Sequence, residues 1–178
     1  DATIRFSTSF NFDFDGSNGI SGGFYDFVGI AAHEIGHALG FISGVDVLDN
    51  NAGPNFFNDD QFTITSTMDL FRYSDLSALT GVIDGSVDGS DRYFSIDGGS
   101  TNLAFFSEGV NHGDGRQASH WRDNLGIGIM DPTTAAGEFL SISSLDILGF
   151  DVIGWDLASA PVPEPATVFL LGCGAMGL

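Results

Sequence analysis

His33-Glu34-Ile35-Gly36-His37-Ala38-Leu39-Gly40-Phe41 has the form H-E-x-x-H-x-x-G-F, and the rest of the chain can be read outward from it. On a helix, residues four apart lie on one face, a turn apart, so His33 and His37 can aim two imidazoles at one ion. Glu34 lies one residue round the helix, near enough to touch a water on that ion without ligating it. Zinc lowers the pKa of such a water toward neutrality, and a carboxylate can take its proton. The pattern therefore predicts zinc-dependent hydrolysis with Glu34 as the base. The competing reading is an amphipathic helix with two surface histidines. With four His and four Glu in 178 residues, random placement yields H-E-x-x-H with a probability of roughly 0.002, which favours the metal.

The surrounding pattern predicts the elements. From about Phe24 to Leu39, residues Phe24, Phe27, Val28, Ala31, Ile35, Ala38 and Leu39 fall on or near one side of a helix. Gly40 follows, able to take the left-handed conformation that ends it. Upstream, Ile4 to Phe14 alternates apolar with polar, predicting one or two strands, and residues 15–19 form a turn. Downstream, Leu48 to Phe62 reads as loop and Met68 to Tyr73 as a short apolar segment. Residues 92–106 read as strand, tight turn, strand, and Glu108 to Ser119 as glycine-rich loop. Ser143 to Gly149 is predicted helical, opened by Ser143 with Asp146 at capping-box spacing. Phe150 to Trp155 is expected to pack back on the core.

Composition narrows the function. The length suits one domain with a tail, and 17 Phe with 43% hydrophobic residues can fill a core. The net charge is −19, with five Arg and no Lys. Nucleic acid and anionic membrane surfaces are poor partners for such a chain, because phosphate binding needs a basic surface. The acid is nearly all Asp, much of it beside Gly or Asn, as in residues 84–91. Turn chemistry explains that placement. Calcium held by loop carboxylates is the weaker alternative, since no stretch matches the twelve-residue calcium loop. The one cysteine, Cys173, allows neither an intrachain disulfide nor a cysteine metal site. The chain starts at Asp1 and not Met, which suggests a processed form or a fragment lacking its N-terminal part.

A catalytic zinc usually holds three protein ligands and leaves one position for water. The common short pattern puts a third His three residues past the glycine, where this chain has Ser43. Spacing alone leaves His112, His120, Asp46 and more distant carboxylates as candidates. His120 lies in Ala118-Ser119-His120-Trp121, and ten residues on comes Gly128-Ile129-Met130-Asp131-Pro132. With these two motifs the chain resembles the metzincin superfamily of zinc peptidases, most closely its leishmanolysin-like branch. There a long insertion separates the glycine from the third histidine, and a methionine turn lies beneath the metal. The resemblance spans roughly His33 to Trp155. It implies His33, His37 and His120 as zinc ligands, Glu34 as general base, Gly40 as the helix-ending turn and Met130 as the turn methionine. Together with the elements above, it implies an α+β, zincin-like fold. That fold has a small, twisted, mostly antiparallel sheet, an active-site helix and a C-terminal helix. One departure is Pro132, at a position where some metzincins carry a tyrosine, so the oxyanion-stabilising group is unassigned. Asp131 and Asp146 are candidate acceptors for the imidazole N–H groups.

Val162-Pro163-Glu164-Pro165, followed by an apolar run from Ala166 to Leu178, resembles the PEP-CTERM sorting tail of Gram-negative bacteria. The chain carries the short motif, part of the apolar span and none of the terminal basic cluster. The expected organisation is a metallopeptidase domain over residues 1–158 and a linker with a truncated sorting segment over residues 159–178. The resemblance implies an exported protein at the cell surface or outside the cell, with transient inner-membrane association through this tail. The expected activity is zinc-dependent endopeptidase cleavage of protein or peptide substrates. The alternative is a non-catalytic surface or matrix protein with a structural metal site, against which the intact Glu34 argues.

Overall fold

Phenylalanine rings, more than strand pairing, organise the N-terminal segment of the computed structural model, which describes residues 2–53, 57–58 and 61–157. Phe12–Asp13 (β1) pairs in parallel with Tyr25–Asp26 (β2), Phe12 opposite Tyr25. The alternation from Ile4 to Phe14 predicted longer strands than these two residues. Instead Phe6, Phe12 and Phe14 gather on Phe27, with ring centroids 4.9, 5.5 and 4.7 Å from it. A period of two also arises when every second residue turns a ring toward one neighbour, so pattern alone overstated the sheet.

The helix of the H-E-x-x-H motif, α1, runs Phe27–Ala38. It starts three residues later than the apolar pattern did, because Asp26 caps it: its carboxylate accepts the Gly29 N–H at 3.0 Å. At the other end Gly40 takes φ +111°. Gly40 N donates to His37 O at 3.0 Å and Phe41 N to Gly36 O at 3.1 Å, the paired bonds of a left-handed helix stop. That stop turns Phe41 inward, where it is fully buried.

The next element departs from expectation. Val45–Ala52 is a helix, α2, where loop was predicted from Leu48 onward. Its Asp and Asn residues have low helix propensity. Asp49 and Asn51 are nevertheless buried on it, because they serve as acceptors for other segments. Tertiary hydrogen bonds outweigh propensity here.

A 3-10 turn over Met68–Phe71 leads into Arg72–Tyr73 (β3). A one-turn helix, Asp75–Ala78 (α3), follows. Tyr93–Phe94 (β4) and Ala104–Phe105 (β5) complete an antiparallel sheet in the order β3-β4-β5. Strand, turn and strand fall where the sequence predicted, but shorter. Beyond β5, Phe106 forms an antiparallel bridge to Trp121. The last helix, α4, covers Ser144–Val152 with Ser143 at its N-cap and Asp146 closing the capping box, as the spacing predicted. The described residues thus form a small α+β fold.

The core joins these parts. Phe41, Phe94 and Phe106 surround Trp121 with centroids 5.0, 5.5 and 5.2 Å away, and Met68, Ile129 and Met130 close the cluster. Phe150 packs on Phe41 at 5.7 Å. Trp155 stays half exposed, and its indole N–H donates to Leu39 O at 2.8 Å. The core therefore binds the end of α1, the sheet, the Trp121 segment and α4 into one body. No helix among the described residues is long and apolar enough to cross a membrane. The Pro-Glu-Pro tail and Cys173 lie outside the described residues.

Candidate metal centre

His33 and His37 project from one face of α1, and His120 comes to them from the loop after the β5 strand. The separations are 3.1 Å from His37 Nε2 to His33 Nε2, 3.1 Å from His37 Nε2 to His120 Nε2 and 3.3 Å from His120 Nε2 to His33 Nε2. Nitrogens at 2.0–2.1 Å from a tetrahedral ion stand about 3.3 Å apart. The three nitrogens therefore fit around one ion. Among the described residues this is the one group of three or more His, Cys, Asp or Glu close enough to share a metal.

The other ring nitrogens decide the tautomers. His33 Nδ1 lies 2.7 Å from Ile129 O, His37 Nδ1 2.7 Å from Phe41 O and His120 Nδ1 3.1 Å from Gln117 O. A carbonyl oxygen only accepts, so each Nδ1 carries the hydrogen and donates it. Each neutral ring then presents a bare lone pair at Nε2. Three acceptors face one another with no hydrogen between them, an arrangement that repels unless a cation sits at its centre.

Charge state agrees. Burial lowers the His120 pKa to about 4, helped by the neighbouring His37 and His33. Burial likewise lowers that of His37, against the Phe41 carbonyl bond, which raises it. Neutral imidazole is the form that ligates. The donor set of three neutral nitrogens suits zinc and other imidazole-preferring divalent metals.

Glu34 lies exposed on the same helix, next to His33. Met130 is fully buried against the underside of α1. A Cβ at Gly36 would lie 2.6 Å from Met130 Sδ and 3.1 Å from Phe150 Cζ, so a side chain between the two histidines would collide with the floor of the site. The peptide before Met130 supplies the acceptor for His33, and Met130 O accepts the Trp121 N–H at 3.0 Å. One short turn thus supports two of the three histidines.

Asp146 anchors that turn. It is fully buried and accepts from Trp121 Nε1 at 2.8 Å, Ile129 N at 2.8 Å and Ser143 N at 2.7 Å. It is not an acceptor for an imidazole; it secures the segments that carry those acceptors. Asp131 is not one either, for its carboxylate takes the Thr133 N–H at 3.1 Å.

The remaining candidates are engaged elsewhere. His112 stands off from the trio and pairs with Asp49, Nδ1 to Oδ1 at 3.3 Å. Asp46 accepts the Ala118 N–H at 2.6 Å and the Ser119 hydroxyl. Ser43 is buried, its hydroxyl donating to Asp69 Oδ1 at 2.5 Å. The Asp-rich stretch 84–91 is wrapped on Arg92, whose guanidinium reaches Asp84 at 3.3 Å and Asp88 at 2.5 Å. Ser86 and Ser90 N–H groups close its Asx turns. Asp84 and Asp88 are thus engaged by a buried cation and by turn chemistry, and among the described residues this stretch contributes to no group of three ligating side chains close enough to share a metal.

Sequence reading missed all three imidazole acceptors, because they are main-chain carbonyls with no residue-type signature. It also passed over Gly36, although a glycine in mid-helix, costing about 1 kcal/mol against alanine, signals close approach. Compared with known proteins, the chain matches no protein-family model, no curated protein and no solved structure.

Proposed function

We propose that this chain is a zinc-dependent endopeptidase of metzincin type, with His33, His37 and His120 as the metal ligands and Glu34 as general base. The observation that carries the reading is the convergence of three imidazole Nε2 atoms within 3.3 Å of one another, with Glu34 next to His33 on the same helix. The glycine stop after α1 and the buried Met130 beneath Gly36 support the metzincin-like arrangement.

Zinc, when bound, makes a water more acidic and polarises a carbonyl, and three neutral ligands leave its charge undiminished for both tasks. The chain's own groups do the rest. The three main-chain carbonyls fix the rings so that Nε2 faces inward. Glu34 takes a proton from the attacking water and hands it to the leaving amine. The substrate is a protein or peptide segment held extended by main-chain hydrogen bonds, which confer affinity with modest side-chain selectivity. The sorting-tail resemblance makes the site of action the cell surface or exterior of a Gram-negative bacterium.

The test is metal content by mass spectrometry together with cleavage of a quenched peptide library, with and without a chelator. One zinc per chain and chelator-sensitive cleavage are expected. One zinc per chain with no turnover on any peptide would replace this reading by that of a non-catalytic protein with a structural metal. A chain that takes up no zinc would remove both.

A further inference from the structure

The Gln117–Ala118 peptide group lies between two bonded partners. On one side its N–H donates to Asp46 Oδ1 at 2.6 Å. On the other its carbonyl accepts from His120 Nδ1 at 3.1 Å. The N–H and C=O of a trans peptide point in opposite directions in one plane. A carboxylate, a peptide unit and an imidazole are therefore joined in series.

We propose that Asp46 is a positioning residue for the third histidine, acting through this peptide: the carboxylate fixes the plane of the Gln117–Ala118 unit and thereby the direction of the His120 ring. The inference rests on the metal-centre reading above. In many metal sites a carboxylate bonds a ligating imidazole directly; here one peptide unit intervenes. A charged acceptor on the N–H polarises the peptide and strengthens its carbonyl as an acceptor. The same carboxylate takes the Ser119 hydroxyl, whose oxygen in turn accepts the Ser43 N–H at 3.0 Å. The two residues before His120 are thus gripped by the connection that follows the helix bearing His33 and His37.

The location of Asp46 makes the grip short and stiff. It sits in the first turn of α2, where a negative charge is favoured by the helix dipole. The linker from α1 is pinned by Asp69, which accepts the Gly44 N–H at 2.8 Å and the Ser43 hydroxyl. Downstream of His120 the chain is held by other bonds, Ser107 N to His120 O and Trp121 N to Met130 O, both 3.0 Å. Upstream lies a glycine-rich loop, so Asp46 supplies the restraint nearest the ring on that side. One turn further along α2, Asp49 secures the start of the same loop through Asn111 N at 2.9 Å and His112 N at 2.8 Å.

The experiment is a zinc competition titration on the full chain against a chromophoric chelator, paired with the visible spectrum of the cobalt-substituted protein. The proteins compared are wild type, Asp46→Ala, Asp46→Asn, Ser119→Ala, His120→Ala and the Asp46→Ala/His120→Ala double variant. Asp46→Ala is expected to weaken zinc binding roughly tenfold to a hundredfold and to shift the cobalt bands toward those of His120→Ala. Asp46→Asn keeps a neutral acceptor and should recover part of the loss. The double variant should bind about as weakly as His120→Ala alone, because the carboxylate acts only through that ring. Folded Asp46→Ala with wild-type affinity and spectrum, or a double variant whose losses add, would overturn the proposal. If Asp46→Ala does not fold, Ser119→Ala and Asp46→Asn decide: altered cobalt bands support it, unaltered bands sink it. Absence of zinc binding in the wild-type chain would instead defeat the metal-centre reading itself.

Discussion

Within H-E-x-x-H the residues divide between chemistry and fit. Gly36 has no side chain because Met130 Sδ occupies the space a Cβ would need. Glu34 is exposed, free of any structural duty the fold requires at that position. Replacing Glu34 by Ala should therefore leave zinc content and thermal stability near wild type while peptide cleavage falls by roughly a hundredfold to ten-thousandfold. Steady-state kinetics beside metal analysis checks this; unchanged turnover removes the base. His120→Ala should lose tight zinc binding, whereas His112→Ala should retain it, since His112 pairs with Asp49 away from the trio. Dialysis against limiting zinc distinguishes the two, and the reverse result would reassign the third ligand.

Among the elements, the Met130 turn and α4 behave as one unit through Asp146. That carboxylate caps α4 and holds Trp121, Ile129 and Met130 at once. The turn can approach it only because residue 128 is glycine: a Cβ there would fall on Asp146 Oδ2 and lie 2.6 Å from Asp146 Cγ. Gly128→Ala should destabilise the protein by about 1–3 kcal/mol, as overpacking does when the neighbours cannot yield. It should also weaken zinc binding, because Ile129 O orients His33. Urea unfolding and the chelator titration read the two effects; stability equal to wild type would mean that the carboxylate is not held as described.

Across the whole molecule, a strongly acidic chain places two of its five arginines inside. Arg72 and Arg92 are buried around Glu108, and Arg122 reaches the same carboxylate at 3.2 Å. Asp84 lies against Arg92. Burial raises the Asp84 pKa, but the Ser74 and Ser86 hydroxyls, the Ser86 N–H and the Arg92 charge outweigh it and hold the value at about 2. A carboxyl depressed in the folded state favours folding above its unfolded pKa of 3.8 and loses that contribution as pH falls toward 2. Unfolding midpoints should thus drop between about pH 4 and pH 2, less steeply in Asp84→Asn; equal acid limbs would contradict the pairing. Zinc at a hundred times its dissociation constant should add about 2.7 kcal/mol of stability that a chelator removes. An unchanged melting temperature on adding zinc would argue against a site formed only in the folded chain.

The local pattern foretold much of this. The helix carrying His33 and His37, its stop at Gly40, the Ser143–Asp146 cap and the hairpin of β4 and β5 depend on neighbours a few residues away, and such interactions leave marks in residue type and spacing. The convergence of His120 across 83 residues on His37 could be expected from two motifs taken together, but its three hydrogen-free nitrogens emerge only in the folded chain. The carbonyls that set the ring tautomers, the helical state of α2 and the tie from Asp46 to the His120 loop left no local mark. Main-chain groups are alike in every residue, and an Asp buried as an acceptor for a distant strand of chain looks the same in sequence as an Asp in a turn. What brings such groups together is packing around Trp121 and Phe41, a property of the whole fold.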